Sequence, residues 1–201
     1  QANRFISFKQ AKLFMNKKYF ILFIICCLSF IGFTAFEQSF NYYIKDIFNL
    51  SSGYNGIIKA AIGFISLIAN GTICLWIIKH TNVSKASIFL LLISSITMFN
   101  VLLTNNIIIF ILLNVVYFAL NAIIVPVIQD LIASRSNNKN TSIVMGFYNA
   151  IKSLGGILGA LIAGFLYVFN PRLPFISGLI TFILATILSV YYYILTKKER
   201  V

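Results

Sequence analysis

The sequence predicts an all-α membrane protein of six transmembrane helices, and three observations carry that prediction. Of the 201 residues, 60% are hydrophobic and only 10% are charged, whereas a soluble domain carries about 25% charged residues. Mean hydropathy is accordingly high, at +0.93. The apolar residues gather into six runs, each long enough to cross about 30 Å of hydrocarbon as a helix. A soluble enzyme is excluded, because one soluble core of this length has no room for so much apolar surface.

The runs read as 19–47, 54–78, 86–104, 106–133, 142–169 and 174–196. A basic, weakly amphipathic stretch, 1–18, precedes them, and a short tail, 197–201, follows. The breaks are Asn49 to Gly53, Lys79 to Lys85, Thr104 to Asn106, Ser134 to Thr141, and Asn170-Pro171-Arg172-Leu173-Pro174, all of polar or turn character. Connections this short make consecutive helices antiparallel neighbours. The chain starts at Gln1 and reads as one that begins partway through a larger protein. The run after Lys17 and Lys18 is too long for the apolar region of a signal peptide.

Sixteen Lys+Arg oppose four Asp+Glu, a formal net charge of +12. These residues lie between apolar runs and form no stripe, so they act as topology signals and not as a nucleic-acid surface. Arg4, Lys9, Lys12, Lys17, Lys18, Lys79, Lys85, Arg135, Lys139, Lys197, Lys198 and Arg200 fall on one side, and Lys45 and Arg172 on the other. Lys and Arg resist translocation, which places both termini in the cytoplasm. Cys26, Cys27 and Cys74 lie inside apolar runs without ligand spacing. They read as small buried thiols, with neither a disulfide framework nor a metal site expected.

Ionisable groups within spans cost a few kcal/mol each and are functional candidates by default. Glu37 leads them, about 28 Å along the first helix from Lys18 and so in the outer half of the membrane. A carboxyl group in a low-dielectric cavity favours its neutral form and can take and release a proton as its exposure changes. Lys152 falls near mid-membrane in the fifth span, where a pairing with Glu37 and a reach into a watery cavity are both open. Lys59, near the outer end of the second span, is expected to snorkel outward. In the fourth span Asn114, Tyr117, Asn121 and Val125 recur at helical spacing, a stripe that lines either a cavity or a helix contact. Pro126 marks a kink in the same helix. Gly155, Gly156, Gly159 and Gly164, with Ala160, form a small-residue ridge suited to close helix packing. Phe33 and Phe36 are candidate walls for an apolar substrate.

Two segments carry a family resemblance. Gly32-Phe33-Thr34-Ala35-Phe36-Glu37 is similar to the seventh-helix segment, with its membrane acid, of drug:proton antiporters in the major facilitator superfamily. Ser153-Leu154-Gly155-Gly156-Ile157-Leu158-Gly159-Ala160-Leu161-Ile162-Ala163-Gly164, with Pro174-Phe175 after it, resembles the eleventh-helix glycine motif of the same proteins. Over nearly its whole length the chain resembles the C-terminal six-helix half of such a transporter, closest to the quinolone and multidrug efflux pumps of Gram-positive bacteria.

The resemblance implies one bundle of two inverted three-helix repeats, 19–104 and 106–196. It also implies a partner N-terminal half joined through the cytoplasmic tether 1–18, and alternating access in the cytoplasmic membrane. Export of a small amphipathic substrate would run on the proton gradient, with no cofactor. By position, Glu37 becomes the proton-coupling acid, and Phe33, Phe36, Tyr117, Asn121 and Lys152 become substrate contacts. Asn121 stands where those pumps carry a second acid, Lys152 where they carry a small polar residue, and Ala160 where the glycine motif has proline. Uptake of a sugar or other small solute by the same fold is an alternative. So is a self-contained six-helix substrate-binding module that docks on an energising partner.

Overall fold

A computed structural model describes residues 17–136 and 140–197. The tether residues 1–16, Lys139 and the tail residues 198–201 lie outside the described residues. Among the described residues there are six helices: α1 (Lys17–Asp46), α2 (Ser52–His80), α3 (Val83–Leu103), α4 (Ile107–Ala133), α5 (Thr141–Phe169) and α6 (Leu173–Lys197). They are 21 to 30 residues long, so at about 1.5 Å per residue each can cross the roughly 30 Å of a bilayer core. Among the described residues the fold is entirely helical, a six-helix bundle as the sequence predicts.

Local chemistry sets the boundaries. Asn82 caps α3 by accepting from the backbone N–H groups of Ser84 and Lys85, so the helix begins at Val83, three residues before the apolar run does. Asn106 does the same for α4, accepting from Ile108 and Ile109. Between α1 and α2, Asn49 adopts a left-handed backbone with φ 52°, a conformation that asparagine tolerates better than most residues.

Helix α1 sits at the centre. Over its most apolar stretch 61% of residues are buried, against 17% for both α2 and α5. It packs mainly against α5 and α6, while α4 packs mainly against α2 and α3, and α3 also meets α6. The first helix of each three-helix repeat thus inserts into the other repeat, as a pseudo-twofold arrangement requires. Phe36, Phe40 and Tyr43 of α1 build an aromatic core with Phe110 and Tyr117 of α4 and Phe175 of α6, the Phe36 and Tyr117 rings lying 4.1 Å apart and the Phe36 and Phe175 rings 4.9 Å apart. Large apolar side chains such as Phe89, Phe99, Leu161 and Phe165 are exposed on the outside of the bundle.

Glycines allow α1 to approach its neighbours. A Cβ on Gly155 would stand 2.8 Å from the Cys27 carbonyl oxygen, and one on Gly159 would run into the Ile31 carbonyl. Gly156 has ordinary contact distance to spare, at 3.7 Å from Thr34, and Gly164 faces open space. The packing ridge expected from sequence is therefore narrower than its run of small residues, because Gly164 points away from α1. A second seam lies where Gly32 meets α6, with a Cβ there only 2.7 Å from the Phe182 ring and 3.0 Å from the Gly178 carbonyl.

Gly159→Ala should destabilise the bundle by about 1–3 kcal/mol, the usual cost of overpacking, and lower its thermal midpoint in detergent. Gly164→Ala should leave that midpoint unchanged or slightly raised. Equal midpoints for the two variants would contradict the narrow seam.

Candidate functional site

Several polar residues of the spans lie on the face shared by α1, α2 and α4. Glu37 and Phe33 are four residues apart on α1 and project in the same direction. Lys59, Ile62, Ser66 and Asn70 follow at helical spacing on α2, and Asn121, Ala122 and Val125 face them from α4. Phe33, Phe118, Ile62, Ser66, Asn70, Asn121, Ala122, Val125 and Pro126 enclose a cavity of about 330 Å³. One helical turn nearer the Asp46 end, outside the cavity lining, Lys59 Nζ lies 3.6 Å from Glu37 Oε1 in an ion pair.

Both partners are partly exposed, Lys59 at 41% and Glu37 at 35%. Ion pairs this accessible are worth at most about 1 kcal/mol. The pair is therefore easy to open. It also changes the expectation for Lys59, whose ammonium turns toward the Glu37 carboxylate on α1.

Two helix irregularities form the inner end of the cavity. Residues Asn70–Cys74 of α2 make a π turn, a feature that often marks functional sites. Pro126 in α4 has no backbone N–H, so the carbonyl of Ala122, four residues earlier, loses its helical donor. The two segments touch, since the Cys74 thiol donates to the Ile123 carbonyl at 3.9 Å. Asn121 is 3% exposed and donates from Nδ2 to the Tyr117 carbonyl at 3.3 Å, which leaves its carboxamide oxygen available at the cavity edge.

The other residues singled out by sequence fall elsewhere. Phe36 and Tyr117 are fully buried in the aromatic core behind the cavity and do not line it. Phe36 follows Ala35 and precedes Glu37, and one residue rotates a helical side chain by about 100°, which turns Phe36 inward. Lys152 lies over the Phe30 ring at 5.1 Å and forms no ion pair with Glu37. Asn114 is fully buried and donates to the Phe110 carbonyl at 2.8 Å, a packing role.

Sequence reasoning missed Ser66, Asn70 and the Lys59 contact. The spacing of Lys59, Ile62, Ser66 and Asn70 was the available signal, since the four occupy one helical face. At the opposite end of the helices, Lys18, Asp130, Arg135 and Thr196 line a second, polar cavity of about 540 Å³. There the Tyr19 hydroxyl donates to the Arg135 carbonyl, and the Arg135 guanidinium sits over the Tyr192 ring at 5.5 Å. No group of His, Cys, Asp and Glu among the described residues is placed to hold a metal ion.

A family model described as the Major Facilitator Superfamily matches residues 22–201. A search of curated proteins found no match.

With Cys26, Cys27 and Cys74 replaced by Ala, a hydrophilic maleimide should label Phe33→Cys and Ser66→Cys but not Phe36→Cys. Labelling of Phe36→Cys with protection of Phe33→Cys, read by gel shift, would mean that the cavity lies on another face.

Proposed function

The chain belongs to the major facilitator superfamily, and from that premise we propose that it forms the C-terminal half of a proton-coupled multidrug efflux antiporter. Members of the superfamily are secondary transporters and not enzymes, and six apolar helices make this chain a multi-pass membrane protein in contact with lipid. In the proposed reading, residues 1–18 tether it to an N-terminal half, and both termini face the cytoplasm of the producing cell.

The observation that carries the proposal is the position of Glu37. Its carboxylate is half-buried, one helical turn along α1 from the Phe33 wall of an amphipathic cavity, and held by a partner that can let go. Exchange requires that proton and substrate compete for one carrier. A proton arriving at Glu37 neutralises the carboxylate and dissolves the pair, while deprotonation restores a negative charge that the cavity must balance. Phe33, Phe118 and Ile62 supply apolar contact, and Asn121, Asn70 and Ser66 supply hydrogen bonds, a balance suited to amphipathic solutes of varied shape. Alternating access follows from rocking of one half against the other around this site.

In cells lacking their own pumps, the complete transporter carrying Glu37→Gln should lose gradient-driven drug export by roughly tenfold or more, because an amide cannot exchange protons. Glu37→Asp should keep part of it. Undiminished efflux by Glu37→Gln, measured as drug accumulation with and without an uncoupler, would remove Glu37 from the mechanism. Substrate-stimulated alkalinisation or acidification of liposomes distinguishes exchange from cotransport.

A further inference from the structure

We propose that the groove between α3 and α6 binds one anionic phospholipid, with its phosphate at Lys85 and Lys197 and an acyl chain laid along Leu92, Ile96, Phe99 and Ile183. The inference is independent of the role given to Glu37.

Helix α3 packs on α4, α6 packs on α1, and the two meet each other. Because α2 packs mainly on α4 and α5 mainly on α1, the seam between α3 and α6 lies across α1 and α4 from those two helices. There Leu92, Ile96 and Phe99 of α3 and Leu179, Ile183 and Ile187 of α6 line a groove of about 340 Å³. The two hydroxyls in the lining are already committed. Ser95 donates to the Leu91 carbonyl at 2.9 Å, and Thr186 donates to the Phe182 carbonyl at 2.8 Å. With those protons spent, the groove suits a hydrocarbon chain and not a hydrogen-bonding solute.

One end of the groove is basic. Positions 85, 92, 96 and 99 share one stripe of α3, and 183, 190 and 197 share one stripe of α6, so Lys85 and Lys197 head the two walls. Both are exposed. Lys85 Nζ reaches across the seam to the Tyr193 ring of α6, 5.8 Å from its centroid. Lys17 and Arg135 lie over the two preceding tyrosines, Tyr191 and Tyr192, and add positive charge at the same end. The acid found there among the described residues, Asp130, faces the polar cavity with Ser84 and Thr196. Those two are one residue, and so about 100°, away from Lys85 and Lys197.

Depth and charge together select the occupant. From Lys85 to Phe99 the helix rises about 21 Å, which matches one leaflet of a bilayer about 40–45 Å thick with its headgroups. A lipid whose phosphate sits at Lys85 thus ends its chain near Phe99. A second copy seated groove to groove in the same orientation would set Lys85 and Lys197 against their own like charges, whereas a phosphate complements them. Since α3 closes the first three-helix repeat and α6 the second, the bound lipid bridges the repeats and stabilises the bundle.

The test uses the complete transporter in detergent, with dioleoyl phosphatidylglycerol, dioleoyl phosphatidylcholine and soluble glycerol 1-phosphate as probes. In native mass spectra from equimolar mixed micelles, phosphatidylglycerol should be retained about tenfold more often than phosphatidylcholine, the order expected of two surface lysines. It should also raise the thermal midpoint, which glycerol 1-phosphate should not. Lys85→Gln/Lys197→Gln and, separately, Ile96→Trp, which fills the groove, should each lose one retained phosphatidylglycerol and most of the midpoint rise. Lys45→Gln, at the opposite end of the helices, should lose neither. If the double variant fails to fold, Ile96→Trp and the wild-type ranking still decide the matter. Equal retention of the two lipids, or an unaltered count in the folded variants, would overturn the proposal. So would an equal midpoint rise with glycerol 1-phosphate, which would assign the lysines to a free phosphate ester, or a dimer that Ile96→Trp dissociates, which would give the groove to a second copy.

Discussion

The arrangement depends on how closely α1 can lie against α5 and α6. At Gly155 and Gly159 on one side the α1 backbone leaves no room for a methyl group, and on the other Gly32 is closed in by α6 side chains with Gly178 tight against its carbonyl. In lipid, where no hydrophobic effect drives helices together, contacts of this kind are the chief source of association. They fix α1 in rotation as well as position. Phe36, Phe40 and Tyr43 are then turned toward α4 and α6, and the surface left over carries Phe33 and Glu37 toward α2.

That geometry explains which parts of the molecule were legible in the sequence. Hydropathy reads depth along a helix well, so the six spans and the exceptional position of Glu37 stand out in the residues themselves. Rotation about the helix axis is harder, because it is decided by partners. Phe36 and Phe33 look equivalent as aromatic neighbours of Glu37, yet one is core and the other wall. Gly164 looks like a continuation of the glycine ridge, yet only Gly155 and Gly159 lie on the side that α1 approaches. Lys59 illustrates the same limit for charge, since its turn toward Glu37 requires knowing that α2 lies beside α1 at that depth.

The polar groups of the spans divide their work. Asn114 and Ser95 spend their hydrogen bonds on their own helices, donating to carbonyls four residues back, and act as filler in a tight interior. Asn121 is bonded in the same manner but stands beside Pro126, where backbone donors run short. Seen together with the π turn of α2, this gives the middle of the bundle two adjoining stretches whose carbonyls are not fully committed to helix, in an otherwise apolar environment. Such stretches persist in membranes only where water, a cavity or a neighbouring chain can satisfy them.

The π turn at Asn70–Cys74 also has a phase effect. A π turn is equivalent to one residue inserted into an α-helix, so side chains beyond it are offset by about 100° from where an unbroken helix would point them. The Lys59 half of α2 and the Lys79 half thus keep separate alignments, like two sections of a shaft joined by a keyed coupling. Losing a single residue from that coupling would leave the ion pair in place and swing Trp76 and Lys79 around to a different quarter of the helix.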